Sequence, residues 1–123
     1  MPFTVTQPLG RVPSFAELQA LAGQHGVQIH GDGRAGEFFH LGREQSKVSG
    51  NYRFEPDGRL RGEFIGNFLG KLAGTIVVQT GKAEVTITAK PFLLLEAVLK
   101  AKLAEALAEV CAQFTPESQA GFD

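Results

Sequence analysis

The sequence predicts an α+β domain in which a curved antiparallel sheet of five or six strands packs against a long C-terminal α-helix, with a short helix ahead of the sheet. Three observations carry this expectation. Apolar residues alternate with polar ones between residues 27 and 90, turn tripeptides containing glycine punctuate that stretch, and an apolar stripe at helical spacing follows Pro91. The 123 residues are 43% apolar and 20% charged, which is ordinary globular composition for one domain spanning 1–123. A chain of this size buries roughly two-thirds of its unfolded surface, enough for a core without disulfide or metal staples.

Residues 1–13 hold three of the six prolines (Pro2, Pro8 and Pro13) and no clear period, so they read as an extended lead-in. Ser14 followed by Glu17 has the spacing of a capping box, which satisfies two backbone donors that a helix start leaves orphaned. Phe15, Leu18, Leu21 and Ala22 fall on one face, and Gly23 and Gly26 end the run, giving a helix over about 14–24. Then the period changes to two. Val27 and Ile29, Phe39 and Leu41, Tyr52 and Phe54, Leu60 and Phe64, Ile76 and Val78, and Val85 and Ile87 each mark a strand with one wet face. Gly31-Asp32-Gly33, Pro56-Asp57-Gly58 and Thr80-Gly81 supply the turns, so consecutive strands pair as hairpins.

Glycine is in excess, 15 of 123 residues, and Gly62, Gly66, Gly70 and Gly74 recur every fourth position. That ladder is either the small face of one strand or two strands split by a turn near Gly66-Asn67 or Lys71. In both cases it predicts a curved or bulged sheet that a helix can approach closely. An Asp-Gly-Arg turn followed by Gly-Glu-Phe occurs twice, at 32–38 and 57–64, as convergent hairpin chemistry or an old duplication. Pro91 suits the first turn of a helix predicted over about 92–113. Phe92, Leu95, Leu99, Leu103, Ala106, Val110 and Phe114 form its stripe, and Thr115 to Asp123 read as a flexible polar tail.

Groupings that carry catalysis are scarce. Cys111 lies far from a helix N-terminus, and no Gly-x-Ser-x-Gly elbow is present. Glu37, Glu55, Asp57 and Glu63 each have an arginine nearby (Arg34, Arg53, Arg59 or Arg61), as solvated cross-strand pairs do. The expectation is a protein that is not an enzyme and takes no cofactor. His30 and His40 would share a face only if the 27–41 hairpin had the right register, and no metal is expected. Net charge is −1, and alternation separates Arg53, Arg59 and Arg61 from Tyr52 and Phe54, so nucleic acid is not an expected partner. No run reaches the roughly 20 apolar residues of a membrane span, no secretory leader pattern opens the chain, and one cysteine cannot form an internal disulfide. The expected location is the cytoplasm.

The stretch Phe92 to Leu99 is apolar most of the way round, because Leu93, Leu94 and Val98 lie off the main stripe. A helix of that kind buries a second face. The sheet or first helix, a second copy of the chain, or a hydrophobic ligand or surface can each cover it.

The order of motifs also resembles a known family. Gly-Glu-Phe at 62–64, Gly-x-x-x-Gly-Thr-Ile-Val-Val at 70–78, Glu-Val-Thr-Ile at 84–87 and Lys-Pro-Phe-Leu-Leu-Leu at 90–95 are similar to the small polyhydroxyalkanoic acid system proteins, over about 59–112. The hairpin at 27–41 is an addition to that pattern. The family is encoded near polyester-granule genes in bacteria and has no defined catalytic residues. The resemblance implies a non-catalytic accessory or interaction protein at granules or other hydrophobic surfaces, and with the apolar excess at Phe92 to Leu99 a homodimer is also expected. The architecture is also similar to a helix-grip arrangement. There, Phe64, Phe68, Ile76, Val85, Ile87, Leu95 and Leu99 would line a cavity for a lipid-like ligand, making the protein a carrier or sensor. With Leu93, Leu94 and Val98 at the helix entrance, these are the candidate ligand or interface residues.

Overall fold

In the computed structural model, which describes residues 2–41, 47–67, 70–91 and 95–114, the alternation becomes a single antiparallel sheet of seven strands. The elements are β1 (Phe3–Leu9), α1 (Phe15–Gln24), β2 (Val27–Gly31), β3 (Ala35–Leu41), β4 (Lys47–Phe54), β5 (Leu60–Asn67), β6 (Lys71–Gln79), β7 (Gly81–Ala89) and α2 (Glu96–Cys111). A single 3₁₀ turn, Ala112–Phe114, extends α2. Strands β2 to β7 form a meander of successive hairpins, and β1 closes the order β1-β7-β6-β5-β4-β3-β2 by pairing with β7.

Seven strands correct the expected five or six, and the additional one is β1, from the segment read as a lead-in. Phe3, Val5 and Leu9 alternate inward and are buried, but Gln7 interrupts the pattern and Pro8 looks like a strand breaker. Proline is tolerated here because β1 is an edge strand, where one row of backbone groups has no ladder partner to lose.

Helix α1 starts where the capping box placed it: the Ser14 hydroxyl accepts from the Glu17 N–H (3.2 Å), and the Glu17 carboxylate accepts from the Ser14 N–H (2.9 Å). Gly23 sits in its last turn with open space around the missing Cβ. Gly23→Ala is therefore expected to stabilise the protein by about 0.5–1 kcal/mol, read as a raised urea midpoint. The second helix departs from expectation. It begins at Glu96, with Leu95 as an N-cap that makes no side-chain hydrogen bond. Pro91 is buried ahead of the helix, near Gly70, and is not in its first turn.

The glycine ladder is split between β5 and β6, with Gly70 at φ +127° just before β6. Register gives the ladder its purpose. On the face covered by the helices, large and small residues alternate across neighbouring strands: Phe38 opposite Gly50, Gly50 opposite Phe64, Phe64 opposite Gly74, and Gly74 opposite Ile87. Each aromatic ring lies over a glycine. A Cβ on Gly50 would come within 2.5 Å of Phe38 Cζ, and one on Gly74 within 2.7 Å of Phe64 Cζ. Rings laid over glycine in this way hold register and let a sheet bend.

The two Asp-Gly-Arg copies share one contact, in which the aspartate carboxylate accepts the N–H of the arginine two residues on, at 2.8 Å for Asp32 and 3.0 Å for Asp57, within turns of different length. Two core clusters lie between sheet and helices. One joins Phe3, Val5, Val85, Ile87 and Leu99; the other joins Leu9, Ala83, Cys111 and Phe114. Leu107 packs against both, so Leu107→Ala is expected to cost about 2–3 kcal/mol of unfolding free energy in urea titrations, the lower part of the range for such truncations because Leu107 is only half-buried.

Candidate functional site

Between the sheet, α1 and the C-terminal half of α2 lies a partly open cavity of about 430 Å³. Its wall is nearly all hydrocarbon. The capping box sets α1 so that Leu18 and Leu21 face the sheet; alternation turns Val27, Ile29, Phe38, Leu60, Ile76 and Val78 inward; and helical spacing places Leu103, Leu107 and Val110 across from them. The volume falls within the roughly 300–1,000 Å³ usual for small-molecule sites. Water needs two to four polar partners to occupy a site well, and this wall offers few, so an apolar solute is the favoured content.

The polar side-chain groups of two lining residues, Tyr52 and Arg61, have their partners elsewhere. Tyr52 is buried, stacks on Phe15 of α1 (ring centroids 6.2 Å apart) and donates its hydroxyl to the Asp32 carbonyl oxygen at 2.8 Å. Burial pushes its hydroxyl above the ordinary phenol range, with the Asp32 charge adding to the effect. The Arg61 Nε donates to Glu55, which Arg53 also holds, and these hydrogen bonds, that from Arg61 foremost, lower the Glu55 carboxyl below its usual range. Cys111 lines the cavity as a buried thiol whose pKa burial raises.

Phe114 lines the cavity just beyond α2. The Arg11 guanidinium lies 5.5 Å from that ring's centroid and forms two hydrogen bonds with Glu17 on α1, at 2.6 and 2.5 Å. These bonds, and that from the Ser14 N–H, lower the Glu17 carboxyl from 4.5 to about 2. A carboxylate depressed on folding stabilises the native state above its unfolded pKa and loses that contribution as pH falls through the folded value. Stability is therefore expected to decline between about pH 4.5 and 2 in part through Glu17. Glu17→Gln should flatten that part of the profile in urea unfolding at a series of pH values.

The sequence-derived site residues fall in four places. Ile76 and Val85 line the cavity. Phe64, Ile87 and Leu99 belong to the neighbouring core cluster and are absent from the lining. Leu95 and Val98 are exposed, at 67% and 46%. Phe68, Leu93 and Leu94 lie outside the described residues. The wall residues missed were those of α1, the 27–41 hairpin and the last turns of α2. Their signals were present in the apolar face of α1 and the alternation of Val27 and Ile29, but nothing local said that these faces meet.

The outer face of the sheet carries the carboxylates. His30 pairs with Glu37 there, followed across the strands by Asn51, Glu63 and Thr75, whereas His40 pairs with Val27 and turns inward, its Nδ1 3.3 Å from the Gly26 carbonyl oxygen. The two rings are thus on opposite faces of the hairpin. Among the described residues, no three histidine, cysteine or carboxylate side chains gather as a metal would require, and no helix is long and apolar enough to cross a membrane. Compared with family models, with curated proteins and with solved structures, the chain matches none.

Proposed function

We propose that this protein is a non-catalytic carrier or sensor that holds a small hydrophobic ligand in the cavity between its sheet and its two helices, in the manner of a helix-grip arrangement. The observation that supports this reading is the hydrocarbon wall of the cavity of about 430 Å³. A single cysteine, Cys111, which cannot form an internal disulfide, is in keeping with a reducing, cytoplasmic setting. The test is displacement of the neutral dye Nile red by a series of straight-chain 1-alkanols. Each buried methylene contributes about 0.8 kcal/mol, so affinity should rise about fourfold per methylene and level off once the cavity is full. Failure of every alkanol to displace the dye, or a rise without a plateau, would refute a cavity site.

A second reading is the accessory protein of polyester granules or other hydrophobic surfaces that the family resemblance implies, with a homodimer as a further possibility for the same residues. Leu95 and Val98, exposed side by side at the start of α2, favour it. Under that reading Leu95→Ser with Val98→Ser abolishes co-sedimentation with polyhydroxybutyrate particles, or shifts a dimer to monomer in native mass spectrometry, while leaving Nile red binding intact.

A further inference from the structure

The chemistry of the cavity wall narrows the class of ligand. Three lining residues other than Arg61, whose side chain turns to the outer face of the sheet, carry groups able to meet a polar or ionised headgroup: Tyr52, His25 and Cys111. The Tyr52 hydroxyl has committed its proton to the Asp32 carbonyl oxygen, so toward a ligand its oxygen has only lone pairs to offer. It can accept from a hydroxyl and cannot donate to a carboxylate. The Arg61 side chain shares the outer face of the sheet with Glu63, two residues on, and donates its Nε to Glu55 there, so its charge lies on the far side of the sheet from the cavity. Cys111 is buried in the wall as a thiol, a weak donor. His25 follows the last turn of α1 and is exposed, at the solvent side of the lining.

We propose that the cavity selects uncharged amphiphiles, chains or rings ending in a hydroxyl or ester, over their ionised counterparts. This rests on the reading of the cavity as a ligand site. The physical reason is the asymmetry of desolvation. A hydroxyl or ester taken into the cavity gives up only the hydrogen bonds of a neutral group. A carboxylate or quaternary ammonium gives up ionic hydration, and the wall supplies neither an uncommitted cation nor an anion to replace it. Binding sites built for fatty-acid anions need a charge-assisted donor at the headgroup. Here Arg53 and Arg61 lie on the outer face of the sheet, and the Tyr52 hydroxyl proton is engaged by the Asp32 carbonyl oxygen.

The experiment compares 1-dodecanol, methyl dodecanoate, dodecanoate and dodecyltrimethylammonium as competitors of Nile red at neutral pH on the full chain, each below its aggregation threshold. The expected result is that the alcohol and the ester bind at least about tenfold more tightly than either ion. His25→Ala should leave this order unchanged. If dodecanoate binds as tightly as the alcohol or more so, the neutral-ligand proposal is overturned, and a loss confined to dodecanoate in His25→Ala would identify His25 as the headgroup partner. If none of the four competes, the cavity reading itself fails, an outcome distinct from a wrong charge preference.

Discussion

Replacing Gly74 or Gly50 by valine is expected to remove at least about 3 kcal/mol of stability, the largest loss from any single change in the sheet. Overpacking a core commonly costs 1–3 kcal/mol when flexible side chains can move aside. Here the first added carbon collides with backbone as well. At Gly74 it meets the Thr86 carbonyl oxygen together with the Phe64 ring; at Gly50 it meets the Glu63 carbonyl oxygen and the Phe38 ring. Those carbonyls belong to strands β7 and β5, so relief requires breaking the register that pairs Gly74 with Ile87 or Gly50 with Phe64. Against a total of about 5–15 kcal/mol for a domain, such a loss leaves a marginal protein. Urea unfolding followed by circular dichroism measures it. A Gly23→Ala control, at a position with nothing within 4 Å, should move the midpoint the other way.

Ala106→Trp is expected to weaken binding of the neutral dye by about a hundredfold or more while lowering the melting temperature by only a few degrees. Ala106 lines the cavity from α2 yet is exposed, so a larger side chain there can enter the cavity without displacing packed core. An indole occupies the space of several methylenes, each contributing about 0.8 kcal/mol to an apolar ligand. Loss of helix propensity on replacing alanine by tryptophan is at most about 0.7 kcal/mol. Ala101→Trp, at an exposed helix position outside the lining, should leave affinity unchanged. Dye titration with a parallel thermal melt separates occlusion of the site from loss of the fold.

Much of the architecture was legible because its causes are local. The Ser14-Glu17 box set the start of α1, and alternation with Asp-Gly turns set the hairpins. What stayed hidden depends on partners far away in the chain. Strand β1 pairs with β7 across some 80 residues, and only that pairing makes its edge position, and so Pro8, acceptable. The ring-over-glycine contacts require the register of β3, β4, β5 and β6, which alternation alone leaves open.

Of the ten residues named from sequence, two line the cavity and three lie in the neighbouring core. An apolar cavity under the C-terminal helix follows from a sheet with one greasy face, and Ile76 and Val85 were named for it. The apolar excess at Phe92 to Leu99 drew attention to the helix entrance, whereas the cavity lies under Leu103, Leu107 and Val110, where α1 and the 27–41 hairpin complete the wall. Which end of a helix covers which strands is decided by packing of whole elements, and no single segment records it.

The most direct test of the cavity as a ligand site is an isotope-filtered NMR spectrum of the labelled protein with unlabelled 1-dodecanol, which reports the protein methyl groups within reach of the ligand's chain. The account predicts cross-peaks from the chain to methyls of Ile76, Val78 and Leu107. Cross-peaks confined to Leu95 and Val98 would contradict it, placing the ligand on the exposed start of α2 and making a surface-binding protein the better description.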